Sequence, residues 1–108
     1  MAFDAYDRSL QLLRSTAPLV ELLTTRDTDL VKQLRRAGAS VALNISEANR
    51  RVGKDRPHLF RVALGSAAEV AACLEVAVAL GYLEQAAVAH ALELVDRVRA
   101  MTYRLANR

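Results

Sequence analysis

The chain has 108 residues, 53% of them hydrophobic but only 5% aromatic, with four Gly, two Pro and a formal net charge of +3. That length suits one small domain, 1–108, and is too short for two. The Ala-, Leu- and Val-rich mixture excludes disorder and a β-sandwich and points to helices packed closely through small side chains.

The first helix is expected from about Phe3 to Thr24. Phe3, Tyr6, Leu10, Leu13, Ala17 and Val20 follow a three-four spacing that reads as a bundle seam, and Leu12, Leu19, Leu22 and Leu23 widen it. Pro18 removes one hydrogen bond and crowds the preceding turn, so a kink near Arg14–Pro18, or two helical pieces, is predicted. Asp27 or Thr28 then caps a second helix running to about Ala48, with Leu30, Leu34, Ala37, Val41 and Ile45 inward. Gly38 weakens that helix by about 1 kcal/mol relative to Ala, which suggests close approach of a neighbour.

The run NRRVGKDR, Asn49 to Arg56, ends the second helix in a loop, and Pro57 is placed as the first residue of the third. The third helix runs to about Leu80 and is closed by Gly81. It is apolar nearly all round, so it is expected to be covered on more than one side. A monomeric four-helix bundle leaves each helix one wet face; the excess points to a homo-oligomer. The stretch Val62 to Leu80 approaches membrane-spanning length, but Ser66, Glu69 and Glu75 interrupt it, and no membrane partner is expected. The fourth helix is expected from about Glu84 to Ala106, with Val88, Ala91, Val95, Val98, Thr102 and Leu105 as its seam. Four helices with short connections give an all-α, antiparallel up-down-up-down four-helix bundle.

Two groups of residues stand out. On the second helix Arg36, Ser40, Asn44 and Glu47 fall on one side. Buried polar groups need partners, and an antiparallel hairpin offers Ser66 and Glu69. Asn44 is expected to reach Ser66 or a backbone carbonyl, Arg36 to pair with Glu69, and Gly65 to let the two helices approach. A network that fixes helix register is preferred over a ligand or catalytic site. The second group is basic. From Lys32 to Arg61 there are eight Lys/Arg and two acids, whereas Val62 to Asp96 holds no Lys or Arg and five acids. Arg35, Arg50, Arg51, Lys54 and Arg56, read as lying near the loop, are the candidates for binding RNA or DNA backbone. No aromatic residues are interleaved with them, so base stacking is not expected.

Several pieces resemble a known family: QLRRA at Gln33–Ala37, the run SVALNISEANRR, GSAAE at Gly65–Glu69 and LGYL at Leu80–Leu83. Their order is similar to that in the four-helix-bundle proteins encoded in intervening sequences of bacterial large-subunit ribosomal RNA genes. Those usually carry something like S-x-x-x-N-I-A-E-G; here Ala48-Asn49 follows Glu47 where a glycine is common. The resemblance implies an antiparallel bundle assembled into a pentameric ring. A related member, the accessory protein of diversity-generating retroelements, binds nucleic acid and its reverse transcriptase, so a protein partner of that kind is implied as well. Arg36, Asn44, Glu47, Ser66 and Glu69 match the family pattern in a structural role.

Other chemistry has little support. His58 and His90 lie far apart and lack partners at ligand spacing, so no metal is expected. Cys73 sits in an apolar run as a buried inert thiol, consistent with a reducing cytoplasm. The acid-bearing start MAFDAYDRSL does not read as a signal peptide. Neither a nucleophile–base arrangement nor a phosphate loop is present, and no cofactor or enzymatic activity is expected. A protein-interaction scaffold that binds no nucleic acid is the alternative.

Overall fold

The computed structural model describes residues 2–108, with side chains from Asp4 onward. Four helices follow in order: α1 (Ala2–Thr24), α2 (Thr28–Asn49), α3 (Asp55–Ala79) and α4 (Gln85–Ala106). α1 packs on α2, α2 on α3, α3 on α4, and α4 on α1, closing an up-down-up-down bundle 43 × 22 × 19 Å in extent. One end carries the α2–α3 loop, the start of α1 and the end of α4. The opposite end carries the α1–α2 and α3–α4 connections.

The elements begin and stop for local reasons. Asp27 is extended and its carboxylate accepts from the Leu30 amide at 3.0 Å, satisfying one of the donors a helix start leaves open. α3 ends where Gly81 takes a positive φ of 79°. The Tyr82 amide then bonds the Ala77 carbonyl and the Gly81 amide bonds Val78, the paired closure that favours glycine. At the start of α3 the helix begins two residues before Pro57. Proline is tolerated there because first-turn amides have no intrahelical partner in any case.

The α2 and α4 seams are buried as expected, from Leu30 to Ile45 and from Val88 to Leu105. α1 differs. Its buried line is Ala5, Ser9, Leu12, Thr16, Leu19 and Leu23, whereas Tyr6, Leu10, Leu13 and Val20 are half-buried and Ala17 is exposed; the Phe3 side chain lies outside the described residues. The inner line contains two hydroxyls that cost little to bury. Ser9 donates to the Tyr6 carbonyl at 2.6 Å and Thr16 to the Leu13 carbonyl at 2.9 Å. The half-buried line flanks α2, and a Cβ on Gly38 would come within 2.9 Å of Leu13 Cδ2, which accounts for that glycine. No such approach exists at Gly65, where added bulk would meet nothing within 4 Å. Pro18 does not divide α1. Its ring is exposed, so the carbonyl it leaves without an amide partner faces the wet side.

α3 buries Phe60, Ala63, Ala67, Val70, Cys73, Leu74 and Ala77. Outside that face it still presents Val62, Val76 and Leu80, with Val76 45% exposed and Leu80 56%. α3 is long and apolar enough to pass for a membrane span, a property it shares with the core helices of soluble bundles.

Candidate nucleic-acid interface

The α2–α3 loop is held from within. Glu47, in the last turn of α2, bonds Arg50 Nη2 at 3.0 Å and Arg51 Nη2 at 2.8 Å; Asp55 adds a longer contact to Arg51 at 3.8 Å. Both guanidiniums hold the Glu47 carboxyl below the usual carboxylate range, the Arg51 hydrogen bond contributing most. Arg56 turns inward: it donates to the Ala48 carbonyl at 3.1 Å and lies 5.1 Å from the centroid of the buried Phe60 ring. It therefore closes the end of α2 and covers a core aromatic. Gly53, at φ 69°, makes the turn, and beside it Lys54 stands exposed with no ion pair among the described residues.

Of the five basic candidates, four thus gather around the loop and one does not. Arg35 lies fifteen residues before Arg50 on the same helix, about 22 Å along its axis at 1.5 Å per residue. It lines the open groove between α1 and α2 with Leu13, Val20 and Glu21. Within the loop, Arg50, Arg51 and Glu47 together carry only +1, and Arg56 is committed to structure.

The topology supplies other cations to this end. Residues 2–13, 39–67 and 96–108 make up the half with the loop and hold ten Lys/Arg against five Asp/Glu, a balance of +5. The other half holds five against seven, or −2, and the two give the chain's +3. Arg61, Arg99, Arg104 and Arg108 are exposed, and none makes an ion pair among the described residues. Arg61 closes the basic stretch already read in the sequence, but the α4 arginines were missed as partners of the loop because Arg104 lies 50 residues beyond Lys54; only the antiparallel path of α4 returns it to the loop end.

The polar row of α2 separates into two parts. Ser40, Asn44 and Ser66 form a connected set: the two serine hydroxyls lie 2.7 Å apart, and Asn44 Nδ2 donates to the Ser40 carbonyl at 2.8 Å and to its hydroxyl at 3.0 Å. Asn44 therefore reaches Ser66 through Ser40 rather than directly. The expected Arg36–Glu69 pair is absent; both side chains are exposed, since the row points along the outer edge of the α2–α3 seam and its long members extend to water. Glu47 serves the loop arginines instead of the network. Burial, assisted by the nearby Glu69 charge, pushes the Cys73 thiol up, which makes it a poor nucleophile. Among the described residues no group of His, Cys, Asp and Glu is placed to hold a metal.

The bundle closely matches a solved structure, that of a protein with unknown function from the S23 ribosomal protein family of Bacteroides thetaiotaomicron VPI-5482. The TM-score is 0.86 at 21% identity, covering 96% of this chain and 99% of that one. At that identity the likeness shows the fold. No curated protein matches the chain. Residues 1–104, nearly the entire length, match the 23S rRNA-intervening sequence proteins. The chain thus belongs to the 23S rRNA-intervening sequence protein family.

Proposed function

We propose that this protein is a non-enzymatic, homo-oligomeric helical bundle that holds RNA or DNA by its phosphates at the basic end. The observation that carries the reading is the +5 half, where Lys54, Arg104 and Arg108 stand exposed without an ion pair among the described residues. Such binding is led by counterion release, is largely indifferent to sequence, and weakens steeply with salt. The outward Val62, Val76 and Leu80 of α3 support self-association, since they need cover that a lone bundle lacks. The ring of five follows the family resemblance. In a ring the basic ends repeat, and weak contacts gain by avidity.

Filter binding of labelled RNA at about 50 and 200 mM salt tests the reading. The parent is expected to bind at low salt and to lose most of its affinity at high salt. Lys54→Glu with Arg104→Glu and Arg108→Glu should reduce binding on the order of a hundredfold, while Arg26→Glu with Lys32→Glu at the opposite end should change it little. Absence of low-salt binding by the parent, or equal loss from both variants, rejects the proposal. Light scattering addresses assembly: the parent should exceed the 11.8 kDa of one chain, and Val62→Glu with Val76→Glu should shift the mass towards it. A parent that scatters as a single chain rejects self-association.

The exposed α3 face also favours a second reading, a protein-interaction scaffold without nucleic acid. Purification from a native host that yields one protein partner and no nucleic acid would select it.

A further inference from the structure

The aromatic residues of this chain are few and mostly hidden. Phe60 is buried, and Tyr6 and Tyr82 pack against the core. Tyr103 is 61% exposed, the one exposed Phe or Tyr ring among the described residues. It stands on α4 at the basic end, one turn after Arg99 and directly before Arg104. Its backbone is held, because the Tyr103 carbonyl accepts from the Asn107 amide at 3.1 Å and from Asn107 Nδ2 at 2.8 Å, which orders the last turn of α4. With Leu64, Asp96, Arg99 and Ala100 the ring lines an open hollow of about 330 Å³ between α3 and α4.

An aromatic face left in water beside unengaged arginines suits one ligand chemistry well. A nucleobase offers a π-face to the tyrosine while its flanking phosphates meet guanidiniums. In a duplex each base is already stacked on its neighbours, so only an unpaired base is available. Ala100 and Leu64 give the hollow apolar walls that leave room beside the ring. Asp96 also lines it; its carboxylate repels a phosphate there but can accept from an exocyclic amino group of a base. We infer that Tyr103 is a stacking platform for an unpaired nucleobase, so that the nucleic acid held at the basic end is single-stranded. This rests on the nucleic-acid reading above and narrows it to one substrate class.

The test uses the full chain, a labelled single-stranded RNA of about twenty nucleotides, and the same sequence as a duplex. Tyr103→Ala should weaken single-strand binding by about five- to a hundredfold, Tyr103→Phe should restore it, and duplex binding should hold within about twofold. Tyrosine emission should fall when single strand is added to the parent, and fall less with Tyr103→Ala. Unchanged single-strand affinity in Tyr103→Ala, or equal loss on single strand and duplex, overturns the inference while leaving phosphate binding intact. A parent that binds neither form at low salt removes the nucleic-acid reading and this inference together. If Tyr103→Ala alters only the oligomeric mass, the ring belongs to a subunit contact and the inference is overturned.

Discussion

The two ends of the bundle are similar in packing and opposite in charge, and they treat their helix termini differently. At the acidic end α2 starts under the Asp27 cap with Asp29 in its first turn, where negative charge suits the helix dipole, and α3 closes on Gly81 with its carbonyls satisfied. At the basic end α3 starts at Lys54, which offers no side-chain cap and places a cation where the dipole disfavours one. The α4 arginines at that end, by contrast, sit where the dipole welcomes them. Charge at the acidic end agrees with local stability. At the basic end it agrees only in part, and Lys54 is the residue whose identity helix stability does not explain.

If the difference is one of charge and not of order, deep truncation should hurt both ends alike. Phe60 at the basic end and Leu23 at the acidic end are both fully buried. Phe60→Ala should cost about 3–5 kcal/mol and Leu23→Ala about 2–5 kcal/mol, each the lost transfer energy plus a cavity. Urea unfolding of the two variants measures this. A cost below about 1 kcal/mol for Phe60→Ala, far under the usual large-to-small range, would mean that the basic end is loosely packed and that its exposed charges reflect fraying.

The caps sharpen the contrast at smaller magnitude. Asp27→Ala should destabilise by about 1 kcal/mol through loss of its bond to the Leu30 amide. Lys54→Asp should do the reverse: the backbone there is helical, at φ −71° and ψ −25°, so a carboxylate acts through the helix dipole and should stabilise by about 0.3–1 kcal/mol and at the same time weaken RNA binding. Thermal melts and filter binding on the same preparations separate the two effects. A Lys54→Asp variant that is no more stable and binds as the parent does would leave the lysine without a role at this end.

How much of this could be read in the sequence depended on what periodicity can encode. The α4 seam carries its spacing in residues that are apolar but for Thr102, and it was legible. α1 carries two lines, and the more apolar one is not the one buried. Ser9 and Thr16 look polar as letters, yet their hydroxyls are spent on carbonyls of their own helix, so the inner line reads falsely as wet. The α2–α3 hairpin offered Ser66 to Asn44, whereas Ser66 bonds Ser40 and Asn44 joins it through Ser40 and its carbonyl. Level along an axis does not say how far a long side chain reaches around the helix, and Arg36 and Glu69 reach water. The loop charges were plain as a run, but their pairing was not, because Glu47 is adjacent to them only through helix pitch. Arg104 and Tyr103 were invisible as neighbours of the loop, since only the closed topology unites them.

That pairing gives the finest test of the basic end. Glu47 draws Arg50 and Arg51 back against α2, and its carboxyl is held below the usual carboxylate range by them. A depressed acid stabilises the fold above its unfolded pKa, and the contribution fades as the pH falls from about 4.3, the unperturbed glutamate value, through the folded one. The small Glu47 contribution to melting temperature should therefore be constant near neutrality and disappear at acid pH, and the Glu47 carboxyl resonance should titrate below that of an unpaired glutamate in an NMR titration. Glu47→Gln keeps the side-chain shape and removes the charge. Surface pairs of this exposure contribute little to stability, so the fold should hold, while the local balance of Arg50, Arg51 and residue 47 rises from +1 to +2. RNA affinity at low salt should then rise by a small factor, about two- to fivefold, with a slightly steeper salt slope. If affinity is unchanged, the two loop arginines do not face the ligand, and phosphate contact at the basic end belongs to Lys54 and the α4 arginines instead.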